Sequence, residues 1–405
     1  SCWPMTAGDA TARDANDPLA PLRSAFVLPE GKIYLDGNSL GALPEVVVQR
    51  LDATVRGEWG DDLIASWNRH DWIGLPGRVG EKIASLIGAA PGQVVCCDSI
   101  SVNLFKLLAT ALKLRPGRAV IVSESGNFPT DLYMVEGLRE LLGPERCELR
   151  AVPREGLIDA LDGDVAVLML TQVNFRTGEL HDMSRMSQAA HDAGALVLWD
   201  LAHSAGVLPV QLDDCGVDMA VGCGYKFLNG GPGAPAFLYL AKALQNQVQQ
   251  PLTGWMGHRR AFAFVPGYEA APGIEHYLSG TPGILGMAAL DEALSLFDGL
   301  DMNAVRAKSV ALTGAFMAGV SEAPALSSFR CLTPGDAAHR GSQVSLAHDH
   351  GYSISQALIE DGVIVDFRAP DIVRFGFAPL YNSFADVARA LATLTRVMAD
   401  ERYLE

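Results

Sequence analysis

The chain has 405 residues, 49% of them apolar and 19% charged, a balance that supports a buried core and argues against disorder. Against 47 Asp and Glu stand 31 Lys and Arg, and the resulting formal charge of -16 excludes long-range attraction to nucleic acid or anionic lipid while leaving room for a local basic pocket. The 7 cysteines are scattered without CxxC pairs, and their odd number argues against a complete disulfide framework, so reduced thiols and a cytoplasmic location are expected. No apolar run reaches the length needed to cross a bilayer, and no signal-like core is seen near the start. Met5 is a candidate initiator, and the four residues before it are set aside.

In chain order, the first clear element is a helix through "DSISVNLFKLLATALKL", with Asp98 or Ser99 as its cap and Leu104, Leu107, Leu108 and Ala111 at helical spacing. A series of short apolar runs follows: "RAVIVSES" (118–125), "VAVLMLTQV" (165–173), "ALVLWDLAH" (195–203), "DMAVGCGY" (218–225) and "APAFLYL" (234–240). Their lack of polar alternation predicts strands covered on both faces, as in a mostly parallel sheet. Between the second and third lies a helix pattern with Asp182 as N-cap, Met183, Met186, Ala190 and Ala193 on one face, and Gly194 as stop, which makes one βαβ unit. A Pro/Gly-rich stretch at 267–286 reads as a join. Beyond it, "GVIVDFR" and "DIVRFGF" read as short strands around a Pro-containing turn, and Ser383 with Asp386 opens a final helix as an acidic capping box. The fold class is therefore α/β with a smaller α+β unit.

In an open α/β sheet, ligands gather beyond the carboxyl ends of the strands. Thr171, Gln172, Asp200, His203, Tyr225 and Lys226 all fall at such ends and should converge. A partly desolvated lysine is a usable amine nucleophile, and "VGCGYKFLNGGPG" places Lys226 just before a glycine-rich bend. A pyridoxal phosphate site would need that lysine for the aldehyde and a carboxylate such as Asp200 for the ring nitrogen. It would also need an aromatic cover such as Phe128, and the helix start at Ile100 and Ser101 for the phosphate. Each signal has a plainer alternative: Lys226 as a snorkelling lysine, Asp200 and His203 as a cap and a packed histidine, Ser99 and Ser101 as simple caps. Their joint order along the chain is the stronger argument. Nucleotide loops are absent as motifs, since Phe227 stands where a dinucleotide fingerprint wants glycine and no GxxxxGK[ST] occurs. Neither HExxH nor a Cys partner set near His348 and His350 suggests a metal, and none is expected.

The strings "IYLDGNSLG" (33–41), "SWN" (66–68), "NFPTDLY" (127–133), "WDLAHSAG" (199–206), "GYKFLNGGPG" (224–233), "GWMGH" (254–258) and "RFGFAPLYNSF" (374–384) together resemble the kynureninase family, from about residue 18 to the C-terminus. The resemblance implies a fold-type I pyridoxal phosphate-dependent transferase fold. It also implies a large cofactor-binding unit over 56–280 and a small unit formed by 281–405 with 1–55. Lys226 would bond the cofactor aldehyde, Asp200 would pair with the ring nitrogen, and Phe128 would cover the ring with Asp131 close by. Thr171 and His203 would lie on the 3-hydroxyl side. Ile100, Ser101 and Tyr225 would hold the phosphate, joined by Trp255 and Thr281 from a second subunit of a homodimer, and Tyr225 would also relay a proton. Arg374 would grip the substrate α-carboxylate, with Asn38, Ser39, Trp67 and Gly280 also near the substrate, L-kynurenine. Trp67, Gly280 and Thr281 resemble the bacterial pattern that disfavours the 3-hydroxy substrate. Gly224 and Phe227 depart from the family, standing where relatives often carry a small hydroxyl or thiol residue and a tyrosine. A cysteine desulfurase or class V-like aminotransferase is the rival reading, although only Cys331 is available as a desulfurase nucleophile, and a silent binding scaffold has no use for Lys226, Asp200 and Arg374 together.

Overall fold

The computed structural model describes residues 5–404, so Ser1–Pro4, set aside above, lie outside the described residues. Seven strands form the large sheet: β1 (Val94–Cys96), β2 (Val120–Glu124), β3 (Glu148–Val152), β4 (Val165–Thr171), β5 (Leu196–Asp200), β6 (Met219–Gly222) and β7 (Phe237–Leu240). Their spatial order is β1-β7-β6-β5-β4-β2-β3. β2 to β6 run parallel, whereas β7 is antiparallel to both of its neighbours. The five runs expected as core strands are all present. In β4, β5 and β6 every residue is buried, because helices cover both faces and leave no side to water. Two strands escaped the sequence reading: β1, only three residues long, and β3, an edge strand with no buried residue, whose Glu148 and Arg150 break up its apolar run.

Local chemistry explains the element ends. Ser99, not Asp98, caps the helix Ile100–Leu114, its Oγ accepting the Val102 N–H at 3.3 Å. Asp98 instead takes a left-handed backbone (φ 52°) and pairs with the buried Lys106 amine at 2.6 Å. Asp182 caps Met183–Asp192 through the Arg185 N–H, burying Met183, Met186 and Ala190 beneath β5. Gly194, at φ 78°, then turns the chain into that strand.

A second, antiparallel sheet aligns Arg330–Cys331, Gln343–Ala347, Ile372–Gly376 and Asp366–Arg368 in that order. The helix Phe384–Ala399 opens with the expected capping box of Ser383 and Asp386 and buries Val387, Leu391 and Leu394 beside Phe316 and Phe375. Met5, Ala10, Ile33 and Leu35 join this second core, and Ile33–Tyr34 pairs in parallel with Val363–Ile364. Leu19 and Phe26 pack instead with the large-sheet core, as do Met287, Leu290, Phe297 and Val305. Among the described residues no helix is long and apolar enough to cross a membrane.

Candidate active site

The carboxyl ends of β4, β5 and β6 and the first turn of helix Ile100–Leu114 enclose a cavity of about 210 Å³. Ile100, Ser101, Phe128, Asp131, Thr171, Asp200, His203, Tyr225 and Lys226 all line it, which brings together nine of the residues singled out from the sequence. The convergence follows from topology. Parallel strands align their carboxyl ends on one edge, so side chains distant in sequence meet there. The helix start adds unpaired backbone N–H groups to the same wall.

The floor is a pair of carboxyls. Asp131 is fully buried, and burial together with the charge and hydrogen bond of Asp200 pushes its acid well above the usual carboxylate range, so Asp131 keeps the pair's proton. Asp200 Oδ1 accepts the Ala202 N–H at 2.9 Å. Thr171 Oγ1 lies 2.6 Å from Asn127 Oδ1 and 3.3 Å from Asp131 Oδ2. His203 is held neutral, first by burial and then by the positive charge of Lys226. Tyr225 is pushed up to about 12 by burial, so its phenol remains a hydrogen-bond donor. The Lys226 amine stands 5.7 Å from the centroid of the Tyr225 ring. Phe128 is 41% exposed, meets Phe175 edge-on at 5.2 Å and lines the cavity with it.

The loop carrying Lys226 is braced by the "DGNSLG" segment. The Gly41 N–H donates to the Tyr225 carbonyl at 2.8 Å, and a Cβ at Gly41 would sit 2.3 Å from the Lys226 carbonyl oxygen, so only glycine lets the two loops approach. Gly224 has a similar cause. A Cβ there would meet the Pro235 carbonyl at 2.5 Å, so this backbone has no room for the small side chain expected from relatives. Phe227 is buried in the large core, where a hydroxyl would need a partner.

Other expected residues lie apart from this cavity. Trp255 donates its indole N–H to Thr281 Oγ1 at 3.1 Å and packs edge-on against Trp67 at 5.5 Å. Gly280 and Thr281 border a neighbouring hollow that shares Asp98 and Gly233 with the cavity. Asn38 is buried, with its amide 3.4 Å from Gln343 Oε1. Arg374 is held within the protein on three sides. It is 1% exposed, its Nε donates to Asp366 Oδ1 at 2.7 Å, its Nη2 to Asp366 Oδ2 and to Ser39 Oγ (3.0 Å), and its Nη1 to the Phe175 carbonyl at 2.8 Å. Asp366 went unnoticed in the sequence although it lies directly across the hairpin from Arg374, a register that the strand pattern alone does not give. Asn127, Thr130, Phe175 and Cys223 were missed as well. Asn127 and Thr130 sit inside the quoted "NFPTDLY" string and Cys223 inside "VGCGYKFLNGGPG", whereas no pattern marks Phe175.

The donor set fits pyridoxal phosphate. Asp131 Oδ1 and His203 Nδ1 are buried polar atoms of the cavity residues with no hydrogen-bond partner among the described residues, and a polar heterocycle would supply one. A strand-end lysine, a carboxyl pair beneath it and a helix start beside it define a fold-type I pyridoxal phosphate-dependent enzyme. Solved structures agree on the fold. The apo cysteine desulfurase of Thermococcus onnurineus NA1 superposes with TM-score 0.78 at 19% identity, covering 94% of this chain and 98% of that one. A C-DES mutant with glycine covalently linked to its PLP cofactor gives TM-score 0.80 at 20% identity, covering 92% and 98%. Curated relatives are far more similar in sequence. The kynureninase of Burkholderia pseudomallei (strain 1106a) is 50% identical over 403 residues, 98% of this chain and 97% of its own length, and that of Pseudomonas fluorescens is 49% identical over 398 residues, 97% and 95%. Residues 305–394 match the model of the kynureninase C-terminal domain. The chain belongs to the kynureninase family, and it is an enzyme of that type with pyridoxal phosphate as its cofactor.

Proposed function

We propose that the chain hydrolyses the Cβ–Cγ bond of L-kynurenine to anthranilate and L-alanine in tryptophan degradation, with 3-hydroxykynurenine a poorer substrate. The observation that carries this reading is the single buried cavity in which Lys226, Tyr225, His203 and the Asp131–Asp200 pair meet, in a chain half identical to kynureninases. When bound there, the cofactor supplies an electron sink for charge developing at the substrate's Cα and Cβ. Asp200 would face its ring nitrogen, with the protonated Asp131 behind it. Ile100 and Ser101 N–H groups and the Tyr225 hydroxyl would hold the phosphate, Phe128 would cover the ring, and Thr171 and His203 would lie at the 3-hydroxyl side.

Lys226, displaced from the aldehyde by the substrate amine, would move the proton from Cα as general base. Tyr225 keeps its proton under these conditions and would return one to Cβ as a relay. Arg374 would receive the α-carboxylate beside Ser39 and Asn38. Trp67, Gly280 and Thr281 would surround the aryl group. A ring hydroxyl would find few hydrogen-bonding partners in that setting and would lose hydration without return.

Because Trp255, Gly280 and Thr281 stand outside the Lys226 cavity of their own chain, a homodimer in which they complete the neighbouring subunit's site is the assembly this reading requires. The division into 56–280 and 281–405 with 1–55, and a cytoplasmic location, belong to the same proposal. The test is the appearance of fluorescent anthranilate when the pyridoxal phosphate-loaded protein meets L-kynurenine. Sulfide released from L-cysteine with no anthranilate from L-kynurenine would replace this reading by a desulfurase. Cys331 gives that alternative little support, since partial burial of its sulfur raises the thiol above the ordinary cysteine value and leaves it a poorer nucleophile.

A further inference from the structure

A second pair of carboxyls lies behind Arg374. Asp366 sits opposite Arg374 in the antiparallel hairpin and takes the guanidinium through both oxygens. Ser39 Oγ closes the ring by accepting from Arg374 Nη2 and donating to Asp366 Oδ2 at 2.5 Å. With the Phe175 carbonyl on Nη1, four of the five guanidinium N–H groups are engaged, and the fifth is on Nη1. Phe175 also lines the Lys226 cavity, so this is the edge of the fork nearest the site. Asp36 approaches from the other direction. Its backbone bridges to Gly376, two residues past Arg374, and its carboxyl is hydrogen-bonded to that of Asp366.

We propose that Asp36 is a positioning residue for substrate binding: it shares one proton with Asp366, and the pair holds the Arg374 fork with its Nη1 edge toward the incoming α-carboxylate. This rests on the reading that Arg374 receives that carboxylate. Two partly buried carboxyls in contact cannot both carry charge cheaply, and Arg374 decides which one does. The arginine's hydrogen bonds hold Asp366 far below the usual carboxylate range despite its burial. Burial and the neighbouring Asp366 push Asp36 up to about 8, against weaker opposing effects of Ser39 and Arg374. The other groups facing the pair keep their protonation state through neutral pH. Arg368 Nη2 lies 3.6 Å from Asp366 Oδ2, Tyr34 and Tyr381 are phenols pushed further up by burial, and His203 is kept neutral by burial and by Lys226, Arg374 and Arg368. Loss of the Asp36 proton therefore adds a negative charge behind the fork and opposes a second carboxylate in front of it.

The test compares the holoenzyme with its Asp36→Asn and Asp36→Ala variants, following KM and kcat for L-kynurenine from pH 7 to 9. The ratio of parent KM to Asp36→Asn KM should rise by about tenfold across that range, with the kcat ratio flat, as one linked proton requires. Asp36→Ala should raise KM already at pH 7, because Asp366 loses its hydrogen-bond donor, and Asn should restore it. Equal KM profiles for parent and Asp36→Asn, or a difference confined to kcat, would overturn the proposal. Should the variants fail to fold, inhibition of the parent by L-alanine replaces them: its inhibition constant should climb about tenfold over the same range, and a flat profile would overturn the proposal. The amine that lacks the α-carboxylate of L-kynurenine separates the two layers. If it binds the parent as tightly as substrate does, the Arg374 reading itself fails; if it binds weakly while the Asp36 profiles coincide, only the positioning role fails.

Discussion

Two carboxyl pairs, the buried Asp131–Asp200 and the partly buried Asp36–Asp366, solve the same electrostatic problem in different ways. In each, one acid keeps a proton because two adjacent charges in a desolvated site repel. The Asp36–Asp366 pair is closed, since the chain supplies its own cation in Arg374 and spends four N–H groups on fixing it. The Asp131–Asp200 pair is open. Among the described residues no arginine lines its cavity and Asp131 Oδ1 has no hydrogen-bond partner. A closed pair orients a binding group, whereas an open pair waits for a positively charged ligand atom such as a protonated ring nitrogen.

The largest way to break this contrast is to remove the amine above the open pair. Lys226→Ala should keep the fold, lose the yellow colour of the loaded protein and lower turnover of L-kynurenine by at least ~10³-fold, within the span of a general base. Asp200→Ala should retain the fold and lower turnover by at least ~100-fold, the low end for a positioned electrostatic group. Near-normal turnover would remove Asp200 from the open pair's role. The closed pair should answer in stability instead. Arg374→Ala leaves the partly buried Asp366 with only Ser39, the Asp36 acid and the more distant Arg368 and should cost up to about 3–5 kcal/mol in chemical denaturation, in addition to weakening substrate binding.

The smallest effect follows from the sign of the Asp36 shift. An acid whose folded value is raised binds more protons folded than unfolded, so its contribution to stability falls as pH climbs from about 4 toward about 8. Asp36→Asn removes that loss. The variant should melt roughly 2 °C or more above the parent at pH 8 and close to it at pH 4.

Asp200 of the open pair was legible in the sequence, Asp131 entered only through the resemblance, and the closed pair was not read at all, for a physical reason. Strands buried on both faces write themselves as continuous apolar runs, and the first polar residues after those runs, Thr171, Asp200 and His203, are already at the sheet's functional edge. The cap of helix Ile100–Leu114 was readable to within one residue, because Asp98 and Ser99 are both capping types and only the Lys106 amine draws Asp98 away. Asp366 meets Arg374 through hairpin register, and Asp36 reaches them through a contact across more than three hundred residues, neither of which periodicity encodes. The antiparallel direction of β7 was hidden likewise, since a fully buried strand has the same apolar run in either orientation.

The most direct test of the central claim is chemical. The protein loaded with pyridoxal phosphate is reduced with borohydride, digested and mapped by mass spectrometry. A pyridoxyl group on Lys226 and on no other lysine is the expected result; an unmodified Lys226, or modification spread over surface lysines, would contradict the account.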